Sequence, residues 1–186
     1  EVLRTISNEL LEIKDKDLPE KELDLITIDK YWPKLNATVN VFEGMKEVRD
    51  CYTVLVGKLP SIKQKTYRDM ALRIINGLSI QRMEDTDVSR PIGLTPAELR
   101  DSLCLFERSI ADLGSDDLDN DLLTHIETTL KELMKAVNGQ FISRNQEGQY
   151  YIDIRKTVDF DQIIDSKAQM MSNDLLDQYY YELLKK

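Results

Sequence analysis

A nucleotide-binding loop needs a glycine-rich turn whose amides cradle phosphate, closed by Lys and then Ser or Thr. The single Gly-Lys pair of this chain, Gly57-Lys58, runs on into Leu59-Pro60, so that loop is absent from the sequence. Asp117-Leu118-Asp119-Asn120-Asp121 imitates the alternating carboxylates of a calcium loop, but Leu122 stands where the sixth-position Gly belongs and Thr128 where the twelfth-position Glu belongs. Acids gathered at the start of a helix, where its dipole favours them, are the simpler reading. His125 is the only histidine, so histidine catalysis would have to centre on it, and it falls on a polar flank as a boundary residue. Cys51 and Cys104 lie in helix-like patterns and fit no metal or redox spacing, although a disulfide between them stays open. Within Leu103-Cys104-Leu105-Phe106 the cysteine reads as a small core residue, since an activated thiolate needs a cationic setting these neighbours do not supply. We therefore expect no catalytic residue, no metal site and no cofactor in this chain.

Contact with nucleic acid is the other chemistry to weigh. From Lys63 to Arg82 the chain carries Lys63, Lys65, Arg68, Arg73 and Arg82 against Asp69. Lys63, Lys65, Arg68, Lys131, Lys135 and Arg144 are the candidate phosphate contacts. Opposing them, the helical stretch from Leu118 sets Lys131 and Lys135 against Asp119, Asp121, Glu127 and Glu132, a net charge of -2 on the element that would enter a groove. Affinity for duplex DNA comes largely from phosphate neutralisation, so we expect weak binding at best.

The elements that would position these groups centre on Pro91 to Ile154, which reads as a winged helix-turn-helix. Thr95 can N-cap a helix with Pro96 in its first position and Glu98 as the capping-box partner. After an acidic loop, Leu118, Leu122, Leu123, Ile126, Leu130, Leu133, Met134 and Val137 fall on one face of a second helix, which Asn138-Gly139 stops. Gln140–Arg144 and Gln149–Ile154, separated by a polar turn with Gly148, predict a β-hairpin that a short strand at Pro91-Ile92-Gly93 could join. Upstream, Thr66–Met83 predicts the first helix of this domain, with Gly77 tolerable where a neighbouring helix crosses closely.

Before it come an amphipathic helix over residues 1–14, a short helix opened and capped by Thr27, and another from Phe42 to Leu59 ended by Pro60-Ser61. Beyond the hairpin, helices are expected from Asp159 and from Ser172, the latter carrying Tyr179 and Tyr180 on its apolar side. Trp32 and the Tyr179–Tyr181 cluster suit packing or a partner interface better than stacking on a ligand. The fold class expected is mainly α: a helical bundle over 1–62, a winged-helix domain with a small β-hairpin over 63–156, and C-terminal helices over 157–186.

Composition bounds the rest. The 186 residues are 41% hydrophobic and 32% charged, with no apolar run near the roughly 20 residues a membrane span needs. A net charge of -9 and a pI near 4.8 oppose general nucleic-acid binding. Sparse cysteines and the lack of a signal peptide point to a cytoplasmic protein, in which the Asn36-Ala37-Thr38 sequon is accidental, and the absent initiator Met suggests a piece of something larger.

Asp24–Pro33, Ala71–Ile75, Pro91–Arg100, Gly139–Ser143 and Gly148–Tyr151 resemble the large P-loop ATPases of BREX-type bacteriophage-exclusion systems, the BrxC/PglY-like proteins. The resemblance implies an internal segment downstream of an ATPase core, so no nucleotide-binding residue carries over. It implies as partners the remainder of the parent ATPase and other phage-defence proteins. By fold-level analogy with other P-loop machines, the bundle would be a lid and the winged helix an appended sensor. Two functions compete: a non-catalytic coupling segment and a DNA-binding module.

Overall fold

The computed structural model describes residues 27–37, 44–84, 93–112, 114, 116–155, 164, 180–182 and 184–185. A 3-10 turn, Ile28–Tyr31, leads into α1 (Trp32–Asn36), followed by α2 (Met45–Lys58), a second 3-10 turn at Leu59–Ser61, and α3 (Lys65–Glu84). Then come α4 (Pro96–Ser102), α5 (Arg108–Ala111), α6 (Leu118–Ala136) and the strands β1 (Ile142–Arg144) and β2 (Tyr150–Ile152). The architecture is mainly helical, a bundle with one small antiparallel hairpin, and residues 180–182 and 184 at the C-terminal end are helical too. Among the described residues no helix is long and apolar enough to cross a membrane. The helices expected over 1–14, from Asp159 and from Ser172 fall mainly or wholly outside the described residues, as do Pro91 and Ile92.

The bundle is built around α3, which packs on the Ile28–Tyr31 turn, α1, α2, α6 and β2. That position explains its sequence. Met70, Ala71, Ile74, Ile75 and Leu78 are buried, but so are Asn76, Ser79 and Arg82, because neighbours cover more than one stripe of the helix. Ser79 answers its own burial by donating its hydroxyl to the Ile75 carbonyl at 2.7 Å. Gly77 does sit at a close approach, where an added Cβ would lie 2.8 Å from both methyls of Leu103. The neighbour is a turn residue just past α4 and not a crossing helix.

Three helix ends follow the residues closely. The Thr95 hydroxyl accepts from the Glu98 amide at 3.2 Å while the Glu98 carboxylate accepts from the Thr95 amide at 2.8 Å, the reciprocal capping box. On α6, Asp117 is the N-cap, its carboxylate accepting from the Asn120 amide at 3.2 Å, with Asp119 and Asp121 in the first turn. At the other end of α6 the Asn138 amide donates to the Lys135 carbonyl and the Gly139 amide to that of Met134, a Schellman turn with Asn138 left-handed at φ 50°. The same turn closes α4, where Cys104 and Leu105 donate to Asp101 and Arg100, and here the left-handed residue is Cys104 at φ 46°. The helix-like reading of Leu103–Phe106 is thus corrected: the chain turns so that Leu103 and Leu105 both reach the core, and Cys104 is left half-buried instead of inside it.

The hairpin pairs Ile142 with Ile152 and Arg144 with Tyr150. The third strand is reduced to one antiparallel bridge, in which Leu94 and Tyr150 exchange hydrogen bonds of 2.9 and 2.8 Å. Gly93 allows that approach, because a Cβ there would lie 2.8 Å from the Tyr150 carbonyl oxygen. One cluster of buried side chains runs from Cys51 and Leu55 on α2 through α3, α4 and α6 to Ile142 and Ile152, so core residues lie on both sides of the boundary drawn at residue 62. Trp32 is fully buried, with its ring edge-on to Tyr52 at 5.4 Å, the packing role expected of it.

Candidate functional site

A groove of about 930 Å³ opens between the Ile28–Tyr31 turn with α1, the first half of α3, and the turn and helix from Cys104 to Asp112. Helical spacing puts Lys65, Asp69, Leu72, Arg73 and Asn76 on the one α3 face that lines it. The opposite wall carries Cys104, Phe106, Glu107 and Arg108. Its best-defined polar feature is Arg73, whose Nε donates to the Asp29 carboxylate at 2.8 Å and whose Nη2 reaches Thr27 Oγ1 at 3.3 Å and the Leu103 carbonyl. Asp29 is almost wholly buried, 2% exposed, so this pair ties the 3-10 turn to the middle of α3 and the end of α4. Thr27 correspondingly accepts from Arg73 and makes no side-chain cap, which corrects the capping role expected of it.

Of the six candidate phosphate contacts, Lys63 and Lys135 come together, on a second groove of about 570 Å³ that also includes Ser61, Gln64, Tyr67, Thr128 and Glu132. Lys65 faces the larger groove, and Arg68 is half-buried on α3 and lines neither. Lys131 is exposed on α6. Arg144 holds its guanidinium 5.5 Å from the centre of the Tyr150 ring, a cation–π contact within its own hairpin. The six do not form one surface.

His125 is half-buried with its ring 4.6 Å from that of Tyr67, and its Nε2 is enclosed without a hydrogen-bond partner among the described residues. Burial holds the imidazole below its ordinary pKa, with the Glu107 carboxylate pulling the other way. Both cysteines are free thiols. Cys51 is buried on α2 and its pKa is pushed up to about 12, first by burial and then by Asp50, so it is an inert core thiol. Among the described residues no three of His, Cys, Asp and Glu gather in a way that could hold a metal ion.

Sequence reasoning missed the Asp29–Arg73 pair, the buried Asn76 and the left-handed Cys104. The first joins residues 44 positions apart, and nothing in either local pattern announces the partner. No curated protein matches the chain. No solved structure matches it. A family model does, across residues 1–158 of the 186, and the chain belongs to that family, the DUF6079 second domain.

Proposed function

We propose that this chain is a non-catalytic coupling segment of a larger phage-defence ATPase, and that its helices from α3 onward with the hairpin act as a winged helix-turn-helix that docks protein partners. The order α3, bridge at Leu94, α4, α5, α6, β1, β2 supports the winged-helix reading, since the bridge supplies the third strand such a domain uses. Membership of a family described as a second domain, together with the resemblance to BrxC/PglY-like ATPases, supports placing it within a longer protein.

The observation that carries the choice of protein over DNA is the charge of α6. Two lysines face four carboxylates there, and Asp119 and the N-cap Asp117 are exposed at the end a groove-reading helix would insert. The hairpin adds little, because Arg144 already lies over Tyr150. A DNA-binding module is the second reading, favoured by the meeting of Lys63 and Lys135 on one groove. Fluorescence anisotropy with labelled duplex at several salt concentrations decides between them. We expect a dissociation constant no tighter than about 10⁻⁴ M, the weak end for non-specific binders. Submicromolar affinity that grows as salt falls and is lost in Lys131→Glu with Lys135→Glu overturns the docking reading.

A further inference from the structure

The sequence holds two Asn-Gly pairs, Asn76-Gly77 and Asn138-Gly139. In such a pair the glycine amide nitrogen can reach the carboxamide carbon of the asparagine, because the glycine carries no side chain to hinder the approach. Whether it does so depends on the backbone that holds the pair. Asn76 is 7% exposed in the middle of α3, where helical backbone keeps the following nitrogen away from its carboxamide. Asn138 is exposed, just past the end of α6.

The joint from α6 to β1 turns through three left-handed residues, Asn138 at φ 50°, Gly139 at φ 64° and Phe141 at φ 56°. Glycine takes that region freely and asparagine tolerates it, but an aromatic residue there is an outlier held in place by its surroundings. What holds it is a short set of bonds. The Gly139 amide donates to the Met134 carbonyl at 2.9 Å, the Gln140 amide to that of Val137 at 3.0 Å, and the Phe141 carbonyl accepts from the Asp153 amide at 3.1 Å. The nucleophile of the Asn138-Gly139 pair is therefore tied to α6 while the turn is closed and released when it opens. Strain in the joint favours opening there over opening in the middle of α3.

We propose that Asn138 is a site of spontaneous deamidation gated by local opening of the α6–β1 joint, while Asn76 is kept silent by α3. Once the joint opens, the Gly139 amide leaves the Met134 carbonyl and gives its proton to solvent, and its nitrogen attacks Asn138 Cγ. A new C–N bond forms, the carboxamide nitrogen departs as ammonia, and a succinimide ring results. Water then opens either carbonyl of the ring to give aspartate or isoaspartate. One water is consumed and one ammonia released, with no change of oxidation state. The turn does not recover. Isoaspartate adds a methylene to the backbone, and either product sets a carboxylate at the C-terminus of α6, where the helix dipole opposes it. An opening of the joint is thereby recorded in the covalent structure.

The test incubates the whole folded chain, and separately the chain in concentrated urea, at mildly alkaline pH and follows isoaspartate at both pairs by peptide mapping. In urea the two sites should react alike. In the folded chain Asn138 should react at least about ten-fold faster than Asn76, and at least about ten-fold slower than it does in urea. Lys135→Gly, an exposed change in the last turn of α6, should speed Asn138 about three-fold and leave Asn76 unchanged, with faster hydrogen exchange at the Gly139 amide. Asn138→Gly, which suits the left-handed position, should keep the fold and form no isoaspartate there. Folded chain in which Asn76 reacts as fast as Asn138, a folded Asn138 that reacts as fast as in urea, or a Lys135→Gly variant that speeds both sites or neither overturns the proposal.

Discussion

Replacing Arg73 with Met tests whether the bundle depends on the clasp it makes. The change keeps much of the aliphatic stem and removes the guanidinium, leaving the Asp29 carboxylate buried without its cation and the Leu103 carbonyl without its donor. Breaking one side of a buried ion pair costs about 3–5 kcal/mol. The Arg73 side chain is 32% exposed against 3% for Asp29, so water reaches the cationic side and the low end, about 3 kcal/mol, is the expected loss. With urea slopes of about 1–3 kcal/mol per molar, the denaturation midpoint should fall by about 1–3 M. Asp29→Asn combined with Arg73→Met removes the stranded charge, so the pair together should cost clearly less than the sum of the two single changes. A single Arg73→Met variant within about 0.5 kcal/mol of the parent, or strict additivity in the double variant, refutes the reasoning.

The other predictions concern local features. Thr95→Ala opens the capping box and should cost about 0.5–2 kcal/mol in urea denaturation. His125 is held below its unfolded pKa, so the unfolded chain binds the proton first. Stability is therefore full above roughly pH 6.5 and declines as pH falls through that value, and His125→Phe should flatten this part of the profile. Gly77→Ala gains about 1 kcal/mol of helix propensity but drives a Cβ into the fully buried Leu103, so a net loss of up to about 2 kcal/mol is expected; a more stable variant would mean that Leu103 moves aside freely.

Local chemistry was legible where one short stretch decides the outcome. Thr95-Pro96 and Glu98 start a helix, and Asn138-Gly139 ends one, because caps are satisfied by neighbours within a turn. The apolar stripe of α6 was legible for the same reason: Leu122, Ile126, Leu130, Leu133 and Val137 are all buried as their period requires. The end of α4 was not, since Leu103 and Leu105 are core residues whether the chain spirals or turns, and only packing against Gly77 and the core selects the turn. Nor was the larger groove. Its walls come from three separate parts of the chain, and Asn76, on the most enclosed helix, looks from sequence like any polar flank residue.

The Leu94–Tyr150 bridge also has a mechanical meaning. Its two strands run antiparallel, so the chain enters at Gly93 and leaves at Tyr151 on the same side of the pair. Tension applied through those two points pulls the strands apart like a zip instead of sliding one along the other. The two hydrogen bonds then bear the load one after the other, and they resist little. Among the described residues no further pair stands behind the bridge on that edge of β2, so a pull between those two points acts on it first.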